Sequence, residues 1–516
     1  MRLSLVVCLI EDSTLPKVSV TGVLVAMRLD RSSSEPIHRQ IAANLRDAIE
    51  HKRLASGSKL PSTRIFAAEL GVSRNTVLQV FEDLTEEGLL TSKVGAGTFV
   101  SSQTSGGIIE SDSEEVLCVG AVEYPFRSLS RRGKHLVFSS TDEFDERPAP
   151  FTPDLPDLRE FPIKTWLRLL SETSGRLTGE ILADTSNAGY LPLRQALTQH
   201  LNASKGMSCS FEQIVITTGS QQSLDLVCRL MMDAGDPVWM EEPGYVGARA
   251  VILANGGTIY PVAVDDDGMR TADAERDKPV PRLIFVSPER HYPLGWQLSM
   301  RRRTEIIALA NRYGSWIVED DYDREFRYEG DALPALFGLD QNERTFHIGT
   351  FSKILLPSFR LGYVVVPRDF VSAFSKARAI VDRHASLIEQ MVLSEFMHRG
   401  LLAAHIRRMR VLYRARQEQL ISGLTEIFGA ASIVPTIHSG MHLVMRLTDD
   451  CEDRRLVKIA SDGGLTLRPL SPYYAGKQKR QGLILGFSSF NAPEIDFGLR
   501  RLTALRELIA PNLQTS

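Results

Sequence analysis

The stretch Gly349-Thr350-Phe351-Ser352-Lys353-Ile354-Leu355-Leu356-Pro357-Ser358-Phe359-Arg360-Leu361-Gly362 sets Lys353 behind two hydroxyl residues and Arg360 seven places further on, with mostly apolar residues between. A lysine stripped of hydration has a lowered pKa and acts as a neutral amine. A neutral amine condenses with an aldehyde to a Schiff base. The hydroxyls of Thr350 and Ser352, with the Arg360 guanidinium, suit a phosphate dianion. An aldehyde and a phosphate on one small molecule describe pyridoxal 5′-phosphate. The same residues also fit a surface Ser-Lys pair beside a buried strand, so the surroundings must decide.

Outward from this stretch, short β-rich runs at 213–218, 237–241, 282–287, 315–319, 345–348 and 362–366 alternate with helical patterns, of which 301–313 is the clearest crossover. Such alternation predicts a mostly parallel sheet with helices on its faces. Ligands of such sheets sit at the carboxyl ends of the strands. The first run ends in Gly219-Ser220-Gln221-Gln222 at a helix start, whose N–H groups and hydroxyl suit phosphate or simply cap the helix. The second ends in Glu242-Pro243-Gly244-Tyr245, where Tyr245 either lies flat on an aromatic ring or packs in the core. The third opens a polar loop, 288–295, with His291, which alone reads as structural. The fourth runs into Glu319-Asp320-Asp321-Tyr322-Asp323, and carboxylates at the end of a buried strand are costly unless paired. A pyridinium nitrogen is one suitable partner, because a carboxylate keeps it protonated and the ring then draws electrons from an attached amine. A nearby tyrosine hydroxyl can bond the ring oxygen. The competing reading is a divalent metal site; it loses because no His or further carboxylate joins the run at ligand spacing, so no metal is assigned.

Residues 28–100 have a different texture. Ile37, Ile41, Leu45, Ala48 and Ile49 recur at helical spacing. Ser62 caps a second helix with Ile65, Ala68 and Ala67 or Leu70 available for the core, and Gly71 ends it. Ser73 caps a third, whose apolar face is Val77, Val80, Phe81 and Leu84. Segments 89–93 and 98–100 flank Val94-Gly95-Ala96-Gly97, a hairpin tip with glycines where positive φ is needed. Three short helices and such a hairpin make a winged helix-turn-helix. Its polar edge, Ser73-Arg74-Asn75-Thr76, lies at the end of a recognition helix that reaches base edges. Arg pairs with guanine, Asn with adenine and Thr with either. Arg64 and Lys93 flank this edge as backbone contacts, and Gly95 stands at the wing. A three-helix interaction domain is the plainer alternative.

Leu60-Pro61-Ser62-Thr63-Arg64, Gly71-Val72-Ser73-Arg74-Asn75-Thr76-Val77 and Glu87-Gly88-Leu89-Leu90 resemble the helix-turn-helix of the GntR family of bacterial repressors over residues 36–100. From about 135 to 510 the chain resembles the fold type I, aspartate aminotransferase-like domain of the MocR subfamily of that family. The likeness rests on Gly-Ser-Gln-Gln, Glu-Asp-Asp-Tyr-Asp and Gly-Thr-Phe-Ser-Lys with its downstream Arg, in this order. It implies a multidomain protein: a possible extension at 1–27, a mainly α winged helix-turn-helix at 28–100, a flexible linker at 101–122 and an α/β pyridoxal-phosphate-dependent transferase-like domain at 123–516. By that likeness Lys353 carries the cofactor as an aldimine, Asp320 bonds the pyridine nitrogen and Tyr322 the ring oxygen. Ser220, Gln221, Thr350, Ser352 and Arg360 hold the phosphate, and Tyr245 stacks on the ring. Members of the subfamily are dimers with the cofactor near the subunit interface.

The sequence also departs from this pattern. Tyr292 stands where enzymes of the fold usually place Asn before Pro, and Arg290-His291 precede it where related regulators often read His-Gln. The tyrosine common before Gly-x-x-x-Leu-Arg is replaced within 184–187, although Gly189-Tyr190-Leu191-Pro192-Leu193-Arg194 is intact. The late strand that carries a carboxylate-binding arginine in enzymes is apolar here, Gly482-Leu483-Ile484-Leu485-Gly486-Phe487, with Arg249 or Arg468 as substitutes. These departures count against ordinary amino-acid turnover and bear much less on cofactor binding. The resulting expectation is a regulator that binds an operator in double-stranded DNA and senses pyridoxal phosphate or an amine, with changes at Lys353 felt around Tyr245, Tyr322 and His291. A working aminotransferase with a DNA-binding appendage is the alternative, and a cofactor-free dimerisation scaffold the third reading.

Composition sets the outer bounds. A chain of 516 residues, 43% hydrophobic and 24% charged, has room for a large core and more than one domain. A net charge of −3 leaves space for a small DNA-binding unit on a larger acidic body. The five cysteines are scattered and read as free thiols of a reducing, cytoplasmic compartment. No apolar run approaches the roughly 18 residues of a membrane span. Residues 3–10 are apolar but short, acidic residues follow, and no cleavage site appears, which argues against a signal peptide. Met27 begins a second plausible start.

Overall fold

A computed structural model of the chain describes residues 27, 29–51, 53–93, 97–101, 129–138, 148–182, 186–330, 332–434, 439–477 and 479–506; the chain divides into two units, 1–123 and 124–516. Residues 1–26, and all of the stretch read as a linker except Ser101, lie outside the described residues.

The first unit has helices Ile37–Glu50, Thr63–Leu70 and Arg74–Glu86, then an antiparallel pair, β1 (Leu90–Lys93) and β2 (Gly97–Val100). The first helix buries Ile41, Leu45, Ala48 and Ile49, and the third Val77, Val80, Phe81 and Leu84, both at the spacing the sequence predicts. The second helix turns differently. Ile65 is 53% exposed and Ala68 is exposed, while Phe66 and Ala67 are buried. The helix is eight residues long and carries apolar side chains on two adjoining faces. The face with the larger side chain wins, because Phe66 buries more area and meets Phe81 edge-on at 5.4 Å. Ser62 and Ser73 accept hydrogen bonds from the Ile65 and Thr76 N–H groups, and Gly71 ends the second helix at φ 63.

The second unit is built on β3 (Ile214–Thr217), β4 (Pro237–Glu242), β5 (Thr258–Asp265), β6 (Gly268–Met269), β7 (Leu283–Val286), β8 (Trp316–Asp321), β9 (Thr345–Thr350) and β10 (Gly362–Val365). They form one sheet in the order β3-β10-β9-β8-β7-β4-β5-β6. The core from β5 through β4, β7 and β8 to β9 is parallel, and β10 runs antiparallel to both its neighbours. β5 and β6 escape the sequence reading because β5 is interrupted by Pro261 and half-exposed near the sheet edge, which blurs its apolar pattern.

The reversal at β10 places the site. Loop 351–361 holds only a 3₁₀ turn at Pro357–Phe359. A parallel crossover needs a dozen or more residues, usually a helix. The chain therefore returns directly, and Lys353 and Arg360 stay at the carboxyl end of β9. Gly362 then packs against Gly219: a Cβ on Gly362 would come within 2.8 Å of the Gly219 Cα. That approach brings the start of helix Ser220–Met231 beside the Lys353 loop.

A smaller antiparallel sheet, β11 (His442–Arg446), β12 (Arg468–Pro469) and β13 (Gly482–Gly486), is ordered β11-β13-β12. Its strands alternate in the usual way. Leu443, Met445, Leu483 and Leu485 pack with residues of helices Leu401–Phe428 and Ala492–Ala504, while Val444 and Ile484 join a second cluster with Tyr292, Tyr322 and Tyr473. Among the described residues, no helix is long and apolar enough to cross a membrane.

Candidate functional site

One cavity of about 450 Å³ in the second unit is lined by Ser220, Gln221, Tyr245, Asp320, Tyr322, Thr350, Ser352, Lys353 and Arg360. The nine side chains assigned to a cofactor from the sequence thus share one space, beside the carboxyl ends of β3, β8 and β9. Four polar residues that the sequence reading did not assign to the cofactor also line it: Asp154, Tyr292, Arg468 and Tyr473.

At one side, Gly219 takes φ 121 and opens helix Ser220–Met231, leaving the first N–H groups of the helix without intrahelical acceptors. The Thr350 hydroxyl accepts a hydrogen bond from the Ser352 N–H at 3.2 Å. Arg360 sits exposed in the left-handed region at φ 51, where the return toward β10 turns. These groups put hydroxyls, free helix N–H groups and a guanidinium on one side of the cavity, donors of the kind that suit an anion. Gln221 Nε2 donates to the Tyr245 hydroxyl at 2.7 Å, and the Tyr245 ring stands edge-on to Tyr292 at 5.7 Å.

The acidic run separates by strand alternation. Glu319 accepts from the Leu336 and Phe337 N–H groups at 2.8 and 3.1 Å and lies 3.0 Å from His347. Burial raises its pKa, but His347 and these donors outweigh burial and bring it down to about 2. Asp321 takes the buried Lys205 at 2.8 Å, and Asp323 lies 3.2 Å from Arg290 Nη1. Asp320, on the other face of β8, lines the cavity, and its Oδ1 is buried without a hydrogen-bond partner. Burial, reinforced by the Asp321 charge and opposed by Lys353, pushes its pKa up to about 7. A buried acceptor left unpaired costs free energy until a donor arrives. The protonated nitrogen of a pyridine ring is such a donor, so the residues present fit pyridoxal phosphate. The other carboxylates of the run each have a protein partner, and among the described residues no group of three or more His, Cys, Asp or Glu side chains gathers as a metal would need.

Lys353 Nζ donates to the Asp154 carbonyl at 3.0 Å. Tyr322 accepts from Arg290 Nη1 at 3.3 Å. His291 does not line the cavity, so the sensing role expected of it is not supported. Its Nε2 lies 2.9 Å from the Pro243 carbonyl, tying loop 288–295 to the end of β4, and burial depresses its pKa to about 4. Of the two arginines offered as carboxylate ligands, Arg249 donates to the Pro472 carbonyl at 2.6 Å and does not line the cavity, whereas Arg468 does. Arg194, in the intact Gly-x-x-x-Leu-Arg motif, bonds the Phe211 and Ile214 carbonyls at 3.2 and 2.9 Å and so fastens helix Leu191–Lys205 to β3. Of the segment 184–187 that precedes this motif, Asp184 and Thr185 lie outside the described residues.

In the first unit, Arg64, Arg74 and Asn75 are exposed, and Arg74 Nε donates to the Thr63 hydroxyl at 3.3 Å. Ser73 is occupied as the N-cap, accepting from the Thr76 N–H at 3.1 Å with its hydroxyl 2.8 Å from that of Thr76. Ser73 is exposed like Arg74 and Asn75, and Thr76 is half-buried; what separates them is that the Ser73 and Thr76 hydroxyls engage each other at the cap. Lys93 Nζ lies 5.9 Å from the centroid of the Phe99 ring, and Gly95 lies outside the described residues.

Comparison with known proteins gives the same division. The bacterial regulatory protein gntR family matches residues 37–100 and aminotransferase class I and II matches 157–481. The probable rhizopine catabolism regulatory protein MocR of Rhizobium meliloti is 36% identical over 92% of this chain and 94% of its own. The pyridoxine biosynthesis transcriptional regulator PdxR of Corynebacterium glutamicum is 27% identical over 90% of this chain and 95% of its own. Among solved structures, the α-aminoadipate aminotransferase LysN of Thermus thermophilus, complexed with N-(5′-phosphopyridoxyl)-L-leucine, aligns with a TM-score of 0.68 at 25% identity, covering 74% of this chain and 98% of that one. This chain thus carries a match to each family and aligns along nearly the whole length of a MocR regulatory protein at 36% identity, and it belongs to the MocR-type transcriptional regulators of the gntR family.

Proposed function

We propose that this regulator holds pyridoxal 5′-phosphate on Lys353 and uses it to sense the cofactor itself or an amino compound, changing its affinity for operator DNA. The observation that carries the reading is the buried, unpartnered Oδ1 of Asp320 in a cavity shared with Lys353 and a phosphate-suited helix start. Ser220, Gln221, Thr350, Ser352 and Arg360 would hold the phosphate, Asp320 the pyridine nitrogen, Tyr322 the ring oxygen and Tyr245 the ring face. When bound, the cofactor supplies an aldehyde that exchanges between amines and a ring that draws electrons from the amine it holds. The relative whose name places it over pyridoxine biosynthesis supports the cofactor as one signal. The protein would act in the cytoplasm as a homodimer, a twofold protein on a twofold operator. The aminotransferase fold favours a second reading, a working transaminase with a DNA-binding unit. Against it, β13 offers Leu483, Ile484 and Leu485, with no cation for an amino acid's carboxylate.

A ligand shifts the equilibrium between two arrangements only by its differential affinity for them. Loading with pyridoxal phosphate, or adding an amine that exchanges with Lys353, is expected to change operator affinity by a factor of roughly 5–150. Operator DNA must then change the affinity for cofactor or amine by the same factor. Titration of DNA with cofactor-free, cofactor-loaded and Lys353→Ala protein reads the effect, and three identical curves across a panel of amines would overturn the sensor reading.

At the DNA, Arg74→Ala is expected to cost about 1–3 kcal/mol at its base pair, whereas Lys93→Ala weakens all sequences alike and flattens the salt dependence. Binding to operator and random duplexes across a salt series separates the two. An Arg74→Ala protein that discriminates as well as wild type would remove Arg74 from base reading.

A further inference from the structure

We infer that the amine accepted at this site carries no carboxylate, because the chain places a carboxylate of its own, Asp154, on the arginine that would bind one. The inference rests on the proposed attachment of pyridoxal phosphate at Lys353 and specifies what exchanges there.

Asp154 occupies the left-handed region at φ 61, a conformation that glycine adopts freely and Asp only tolerates. From there its carboxylate lines the cavity with 6% of the residue exposed. Its Oδ2 accepts from the Tyr292 hydroxyl at 2.6 Å and from Arg468 Nη1 at 3.1 Å, and its Oδ1 lies 2.8 Å from His442 Nδ1. Burial pushes the pKa of Asp154 up, but His442, Lys353 and Arg468 outweigh burial and hold the carboxyl well below its ordinary range. A fixed anion therefore faces Arg468 at neutral pH.

Among the described residues, the cations that line the cavity are Lys353, Arg360 and Arg468. Lys353 is the point of attachment, and Arg360 belongs with the phosphate-suited side. Arg468 enters from β12, directly across from Ile484 of β13, so it sits beside the strand position where the enzymes' arginine is missing. An amino acid would have to bring its carboxylate to a guanidinium that already carries one. Two carboxylates on one half-buried guanidinium repel each other, and expelling Asp154 would strand a buried charge between Tyr292 and His442. A primary amine with alkyl or hydroxyl substituents meets neither cost. The Tyr292 and Tyr473 rings flank it, and a hydroxyl of the ligand finds an acceptor in Asp154. Rejection here comes from a built-in repulsive element, a common route to specificity.

The test uses full-length protein loaded with pyridoxal phosphate and pairs of amines that differ only by the carboxylate: ethanolamine with L-serine, and ethylamine with L-alanine. The readouts are the absorption shift of the bound cofactor and operator affinity. Wild type is expected to half-saturate at a concentration at least about tenfold lower for the carboxylate-free member of each pair. Asp154→Gly suits the left-handed backbone and takes the competing carboxylate off Arg468, so it should reverse the preference, and adding Arg468→Gln should abolish that reversal. Asp154→Asn keeps the side-chain volume, tolerates the same backbone, and should narrow the gap even if the glycine variant folds poorly. Equal responses of loaded wild type to both members of the pairs, no response to any of them, or a preference unchanged in both Asp154 variants would overturn the inference while leaving cofactor attachment intact. Failure of wild type to take up pyridoxal phosphate would instead overturn the reading beneath it.

Discussion

Lys353→Ala is expected to lose all covalent, borohydride-fixable pyridoxal phosphate. Wild type should bind the cofactor with visible colour, and reduction should leave it on one peptide, that of Lys353. The argument is positional. Lys353 is the lysine that lines the cavity, at the carboxyl end of β9, with its Nζ held 3.0 Å from the Asp154 carbonyl. Lys353 itself is half-buried; among the described residues the deeply buried lysine is Lys205, which is committed to Asp321 and Glu325 at 2.8 and 3.1 Å, and these carboxylates hold its pKa well up against burial. An ammonium so paired is a poor nucleophile. Winged-helix binding to nonspecific DNA should persist in the variant, because the three helices of the first unit bury a core of their own. Mass spectrometry of reduced, digested protein decides the matter. A label on another lysine, or a wild type that stays colourless with excess cofactor, would remove Lys353 from this role.

How much of this was legible in the sequence follows from the range over which each contact acts. The Lys353 loop, the Ser220 helix start and the Asp320 run each sit at the end of a short apolar strand, and strand ends of a parallel sheet converge. Their gathering needs only the order of elements. Asp154 gives no such signal. It lies in an irregular segment between two prolines, its positive φ is invisible in the letters, and its partners Tyr292, His442 and Arg468 are 138, 288 and 314 residues away. Arg468 was one of two candidates, and what separates it from Arg249 is the register of β12 against β13 and the cavity that it lines, neither of which is written in the letters. The choice of Phe66 over Ile65 in the second helix likewise turns on packing against Phe81, which an eight-residue period cannot resolve.

Asp320→Asn is expected to stabilise the cofactor-free protein and to weaken its hold on the cofactor, with pH separating the two effects. Burial first, then the charge of Asp321, raises Asp320 from the ordinary 3.8 to about 7, with Lys353 opposing. A carboxyl whose folded pKa lies above its unfolded value contributes its full stability below the unfolded pKa and loses it as pH rises through the folded one. The wild type should therefore weaken between about pH 4 and about pH 7, by about 4 kcal/mol at 1.36 kcal/mol per unit, as an order of magnitude. Asparagine has no such transition, so its advantage over wild type should grow across that window and level off above it. Asp323, raised to about 8, titrates in both proteins and cancels in the difference, whereas Glu241, also raised to about 8, owes part of that rise to the Asp320 charge and loses that part in the variant. Pyridoxal phosphate should invert the order at about pH 8, because a protonated ring nitrogen gives Asp320 Oδ1 both a donor and a counter-charge. The loaded wild type then recovers the lost stability and the loaded variant does not. Denaturant melts at about pH 5 and about pH 8, with and without cofactor, measure all four cases. A cofactor-free variant less stable than wild type at the higher pH would mean that Asp320 is already satisfied within the protein, and the pyridine nitrogen would lose its partner.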